Sequence, residues 1–350
     1  MSCKMAIDGR PIGPHEPAFV VAEIGVNHDG SLARAIALVH HAAAAGADAV
    51  KLQIFRARAL MHSSSIFAKY QQERVEDMDP SAMLQRYELS NESLEQIVKA
   101  IRDEGMMPLA TPFSPEDVQR IEQLQFPAIK IASPDLVNRV LLQRAAGSHL
   151  PMILSTGAAT MDEVQTTVDW LRDWNCPGAL LHCVSSYPTP AEQAHLGWIT
   201  ELSRFGLPVG YSDHTTEPLA GALAVAAGAC IIEKHLTYDR SAIGPDHSTS
   251  ADPGEFGEYV KLIRTAESLR GSIEKRVLSI ENDVRKVSRQ SLVVRRDMRP
   301  GEILTVDDLT VQRPGTGIPP AQIDAASGRT VRVALNKGTL LQWEMLADAA

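Results

Sequence analysis

The sequence has few of the features that mark secreted, membrane or nucleic-acid-binding proteins. Its 350 residues hold four cysteines, Cys3, Cys176, Cys183 and Cys230, with no Cys-x-x-Cys pair and no disulfide density. Buried thiols in a reducing cytoplasm are the expectation. Residues 1–17 mix charges with prolines and lack the apolar core of a secretory signal. The longest apolar stretch, residues 219–232, is too short to span a bilayer and is broken by Gly221 and Gly228. It reads as a core helix running into a buried strand. Basic residues are in deficit, 34 Lys and Arg against 43 Asp and Glu, for a formal charge of -9. That balance argues against a nucleic-acid partner, although a local lysine cluster can still hold a small anion.

The hydrophobic fraction of 44% and the charged fraction of 22% are those of a globular chain, long enough for one large and one small domain. From Phe19 onward, short apolar or β-branched runs alternate with segments of helical period. The runs predict strands at residues 19–24, 49–54, 107–110, 128–131, 152–154, 179–183, 209–211 and 230–233. Amphipathic segments at 32–45, 92–104, 115–124, 161–174 and 218–227 lie between them, and another at 253–270 follows the last strand. Eight βα units in about 250 residues predict a (β/α)₈ TIM barrel. A doubly wound sheet is the competitor, but Glu23-Ile24-Gly25-Val26-Asn27-His28 stands where it would carry GxGxxG. A charged linker is expected at 271–288, after a barrel domain at 1–270. Short strands at 291–295, 310–312 and 330–333, punctuated by Pro-Gly turns, predict a small β-rich domain over 289–350.

Active sites of such barrels lie at the C-terminal ends of the strands. Those ends carry Glu23, Lys51 with Gln53, Thr111, Lys130 with Ser133, Ser155 with Thr156, Ser185 with Tyr187, Ser212 with His214, and Lys234 with His235. Eight polar ends converging on one rim point to a site rather than to eight unrelated loops. Lys51 and Lys130 stand in apolar strands, where an unpaired ammonium is costly. With Ser133, Ser155 and Ser212 they suit a phosphate and a carboxylate on one ligand. A Schiff-base lysine is the alternative, and structural ion pairs to Glu23 or Asp213 are the bland reading. His214 and His235, on neighbouring strand ends, could share a divalent ion with open coordination, Mn²⁺ or Mg²⁺ rather than structural zinc. Glu23 closes an apolar run, where burial favours a raised pKa and acid/base work. Asp246 lies in a loop that can fold over the mouth, or stabilises a turn there.

At these residues the chain closely resembles the sialic acid synthase family. The matching stretches are VAEIGVNHDGS at 21–31, KLQ at 51–53, TPFS at 111–114, KIAS at 130–133 and STG at 155–157. YPTP at 187–190, GYSDHT at 210–215, EKHLT at 233–237 and GPDHS at 244–248 continue the series in order. RPGTG at 313–317 falls in the last domain, which resembles the antifreeze-like (SAF) module of these enzymes. The resemblance implies a metal-dependent cytoplasmic synthase that condenses phosphoenolpyruvate with N-acetylmannosamine and water, with C–O cleavage and phosphate release. Legionaminate or pseudaminate synthesis from a 2,4-diacetamido sugar is the alternative it leaves open. It implies Glu23 and Asp246 as catalytic residues and His214 and His235 as metal ligands. Lys51, Thr111, Lys130, Ser133, Ser155, Ser185 and Ser212 would surround phosphoenolpyruvate. Gln53, Asp135, Tyr187, Asp246 and Arg313 would face the sugar, Arg313 from the SAF module of a partner chain in a homodimer. Two departures bear on the substrate: Ser133-Pro134-Asp135 replaces Ser-Gly-Glu, and Ser185 stands where some members carry asparagine.

Overall fold

The computed structural model describes residues 5–61, 80–272 and 274–347. The chain divides into two compact units, Met1–Gly271 and Ser272–Ala350.

The first unit is a TIM barrel. Eight parallel strands close on one another: β3 (Phe19–Gly25), β4 (Ala49–Ile54), β5 (Met107–Pro112), β6 (Ile129–Ile131), β7 (Met152–Ser155), β8 (Gly178–His182), β9 (Val209–Asp213) and β10 (Ile231–His235), with β10 pairing back onto β3. Every one begins and ends within two residues of its predicted bounds. The strands are buried on both faces, so alternation separates two cores rather than core from solvent. Val20, Ala22 and Ile24 face the helices; Phe19, Val21 and Glu23 face the barrel axis. The helices start where their sequences supply caps. Ser31 accepts from Arg34 N, and Thr160 with Glu163 and Asp252 with Glu255 form reciprocal capping boxes. Two short helices, Arg139–Ala146 and Trp198–Leu202, complete the outer layer without having been legible as periodic segments.

An antiparallel hairpin precedes the barrel, β1 (Met5–Ile7) and β2 (Arg10–Ile12), joined by Asp8-Gly9 with both φ angles positive. Met5, Ile7 and Ile12 are buried against the axial residues Phe19, Val21, Ala49 and Ile231, and so plug the N-terminal end of the barrel. The segment lacks the continuous apolar run of a secretory signal, and what it adds to the expectation is this hairpin. Three alternating apolar residues around an Asp-Gly turn are a hairpin signal. Cys3 lies outside the described residues; among those described, no disulfide joins Cys176, Cys183 and Cys230, the last two of which are buried. No helix among the described residues is long and apolar enough to cross a membrane.

The second unit pairs β11 (Ser291–Val294) with β12 (Leu309–Gln312) around Leu292, Val294, Leu304, Val331, Leu335 and Leu341. The strand predicted at 330–333 is absent: Thr330 bridges Ile303 while Val331 bridges Leu346, so no continuous ladder forms.

Candidate active site

Parity of the strands decides which polar residues enter the barrel. Residues two apart on a strand share a face, so Glu23, Lys51, Gln53, Thr111, Lys130, Ser155, Ser212, Glu233 and His235 follow the axial apolar residues below them. The register sets them level: His235 pairs with Glu23, Glu23 with Lys51, and Gln53 with Thr111.

Four charges lie at the centre. Glu23 is fully buried; its Oε2 is 2.8 Å from Lys51 Nζ and its Oε1 accepts from Gln53 Nε2 at 3.1 Å. The contact to Oε2 is an ion pair by distance without hydrogen-bond alignment. Lys51 also lies 3.3 Å from Glu233 Oε2 and 3.5 Å from Thr111 Oγ1. Burial pulls its ammonium down to about 8, Glu233 resisting and Lys130 assisting. Lys130 donates to Ser155 Oγ at 2.6 Å and to Ile131 O at 3.0 Å, with Glu233 Oε1 at 3.8 Å. Burial opposes the Glu233 carboxylate, but Lys130, Lys51 and the hydrogen bond from Ser212 Oγ (2.8 Å) together hold its pKa below the usual range. Glu233 therefore gathers Lys51, Lys130 and Ser212, and it is absent from the residues expected at the rim. Its parity with His235, two residues on, was the signal available.

Lys234, expected at the rim, is not there. As the odd residue between Glu233 and His235 it points outward, 3.0 Å from Asp213 Oδ2. Asp213 thus pairs with Lys234, while Lys51 takes Glu23.

A small cradle adjoins the lysines. Ser133 Oγ accepts from Gly157 N at 3.0 Å and meets Cys183 Sγ at 3.0 Å. A Cβ at position 157 would collide with Ser185 Oγ, with Cys183 Sγ at 2.7 Å and with Ser133 Oγ at 2.8 Å. Only glycine leaves this space open, and the groups around it are hydrogen-bonding ones. Asp135 sits in a single turn, Ser133–Asp135, where its Oδ1 accepts from Asn138 Nδ2 at 2.9 Å and burial raises its pKa.

The two histidines meet at the mouth with ring centroids 5.7 Å apart. His214 Nδ1 donates to Val184 O at 2.8 Å, which leaves Nε2 with its lone pair. Burial pushes the His214 pKa down to about 4 and that of His235 well below its usual value, so both rings are neutral at pH 7. The buried His235 Nδ1 has no hydrogen-bond partner, and Asp246 Oδ2 is 3.8 Å away. Tyr187 packs over both rings, at 4.1 Å from His214 and 5.9 Å from His235. Among the described residues no third His, Cys, Asp or Glu completes a closed metal cluster. Two neutral imidazoles, one with an orphaned buried nitrogen, fit an open metal site rather than a structural one. Arg313 belongs to the second unit, exposed beyond the end of β12.

Comparison with known proteins decides the family. The NeuB family model matches residues 38–275 and the SAF domain model residues 289–347. This chain belongs to the NeuB family. In this chain the NeuB match falls on the barrel and the SAF match on the second unit. It is 38% identical over 352 residues to the N,N'-diacetyllegionaminic acid synthase of Legionella pneumophila, covering 98% of this chain and 99% of that protein. The pseudaminic acid synthase of Campylobacter jejuni is 32% identical, over 86% of this chain and 89% of its own. The crystal structure of N-acetylneuraminic acid (sialic acid) synthetase from Leptospira borgpetersenii, in complex with citrate, superposes with a TM-score of 0.73 at 32% identity, covering 81% of this chain and 95% of that one.

Proposed function

We propose that this NeuB-family chain is a nonulosonic acid synthase that joins phosphoenolpyruvate to an open-chain N-acylated amino sugar. The observation that carries the reading is the convergence of Lys51, Lys130, Ser155 and Ser212 beside the Ser133–Gly157–Ser185 cradle. Charge-assisted donors on buried side chains suit a phosphate and carboxylate on one small molecule.

Lys51 and Lys130, with Thr111 and the serines, hold the anion and receive the departing phosphate. Gln53, Asp135, Tyr187 and Asp246 face the acceptor, and Glu23 exchanges the proton of the water that adds at C2 of phosphoenolpyruvate. C3 bonds to the aldehyde carbon, and the C2–O bond breaks. Fixing both reactants in one pocket supplies much of the rate. His214 and His235, with Asp246 beside them, are the residues that would hold Mn²⁺ or Mg²⁺, whose Lewis acidity would polarise the aldehyde. Two ammoniums already balance two carboxylates in the interior, so a polyanion needs added positive charge. A divalent cation held at His214 and His235 would supply it.

The relatives named above make three different products at similar identity, so the acceptor is set by assay. Phosphate release is measured with N-acetylmannosamine, its 6-phosphate and a 2,4-diacetamido sugar. One of them is expected to turn over, and ¹⁸O at the bridging oxygen of phosphoenolpyruvate is expected to appear in phosphate. Release with no acceptor, or label retained in the sugar, sinks the reading.

Gly157→Ala is expected to raise the KM for phosphoenolpyruvate about tenfold or more, since overpacking a filled site typically costs 1–3 kcal/mol. An unchanged KM would remove the cradle from the binding site. The same reading assigns Arg313 to the acceptor from the SAF module of a partner chain in a homodimer. Arg313→Ala and Glu23→Ala proteins, each inactive, are then expected to recover about a quarter of wild-type activity when mixed and shown to exchange subunits. Continued silence after proven exchange would place Arg313 elsewhere.

A further inference from the structure

Behind the histidines lies a second polar cluster, on the outer side of the barrel wall. Asp213 is buried there, and the roughly four lone-pair sites of its carboxylate are all used. Oδ1 accepts from Tyr211 Oη at 3.2 Å and Thr215 N at 2.8 Å. Oδ2 accepts from Lys234 Nζ at 3.0 Å and Tyr259 Oη at 2.8 Å. Lys234 donates also to Thr215 O, and its ammonium lies 5.4 Å from the centre of the Tyr259 ring. Tyr259 reaches in from the helix Pro253–Arg270, past Gly221 of the helix Ala220–Ala226. A Cβ on Gly221 would stand 2.5 Å from the Tyr259 hydroxyl. Glycine is unfavourable inside a helix; here close packing against this phenol accounts for it.

The cluster is interleaved with the site in sequence. Asp213 and Thr215 flank His214, and Lys234 separates Glu233 from His235. Lys234 and Asp213 are also register partners across β9 and β10. The outward alternates of two strand ends are therefore locked together, while the inward alternates Ser212, His214, Glu233 and His235 line the mouth. We propose that Asp213 is a positioning residue: through Lys234, Thr215 and Tyr259 it fixes the ends of β9 and β10 and so sets the direction of both imidazoles and of Ser212. It touches no substrate. The inference rests on the proposed function only in its choice of probes.

The test uses the full chain, below the melting temperature of each variant. Breaking one half of a buried ion pair is strongly destabilising, so the pair is neutralised together in Asp213→Asn/Lys234→Met, with Tyr259→Phe as a milder change. The first readout needs no ligand. In ¹⁵N-histidine-labelled protein the Nδ1 proton of His214, held by Val184 O, gives a slowly exchanging signal, and the double variant is expected to lose it. The second readout is binding of phosphoenolpyruvate alone and of Mn²⁺ alone. Both dissociation constants are expected to rise about tenfold or more in the double variant and about threefold in Tyr259→Phe, the latter near the lower end of a typical hydrogen bond's net contribution because Tyr259 acts on the site only through Asp213. Variants that melt earlier yet keep the His214 signal and wild-type binding would reduce Asp213 to a fold-stabilising residue and overturn the proposal. If the double variant does not fold, Tyr259→Phe decides by the same readouts. A wild type that binds neither probe would refute the proposed function, while the histidine signal still decides this inference.

Discussion

Glu23→Gln is expected to lower kcat by about 10²- to 10⁴-fold, the usual contribution of a positioned general acid or base. The amide keeps the size of the carboxylate and can still accept from Gln53 Nε2. It cannot take up a proton at neutral pH. Lys51 loses one counter-ion but retains Glu233 at 3.3 Å, so the barrel is expected to fold. The KM for phosphoenolpyruvate should move by less than tenfold, because Lys130 and the serines are untouched. A variant with near wild-type kcat would leave Glu23 as no more than the counter-ion of Lys51.

Chelation should produce an effect of similar size. Treatment with EDTA is expected to take turnover below about one hundredth of its starting value, with Mn²⁺ or Mg²⁺ restoring it. His214→Ala and His235→Ala are each expected to weaken Mn²⁺ binding at least about hundredfold, since the described residues supply two imidazoles and only the neighbouring Asp246 carboxylate to replace a lost one. Neutral rings favour the ion: burial holds both histidines deprotonated at pH 7, so no proton need be displaced. Full activity of metal-free protein would end the assignment of both residues, and the aldehyde would then need another electrophilic partner.

Much of this site could be read from one sequence because a barrel converts strand ends into a rim. Once β3 to β10 are placed, Glu23, Lys51, Lys130, Ser155, Ser212 and His235 follow by position alone. The structure departs from that reading one residue along or back: Glu233, inside the apolar run Ile231-Ile232-Glu233, lies at the mouth, and the parity of Lys234 turns it outward. The N-terminal hairpin was missed because its three apolar residues are too few to show periodicity, although Asp8-Gly9 marked the turn. The strand expected at 330–333 failed because a β-branched run forms a ladder only where one partner lies alongside, and Thr330 and Val331 have two different ones.

The sequence by itself determined the repeating βα order, the cap residues that start the helices, and which residue types stand at each strand end. Those are local properties, carried by hydrophobic period and by side chains that bond to their own backbone. Tertiary structure alone decided the pairings. That Lys51 meets Glu23 while Lys234 meets Asp213, or that Gly157 opens a cradle between Ser133 and Ser185, depends on residues 21 to 28 positions apart in sequence. Closing the sheet brings β10 against β3 and places His235 level with Glu23, more than 200 residues away. No local propensity encodes that contact. It exists because eight strands of one register leave no edge, and the charges inside must then find their partners across the barrel.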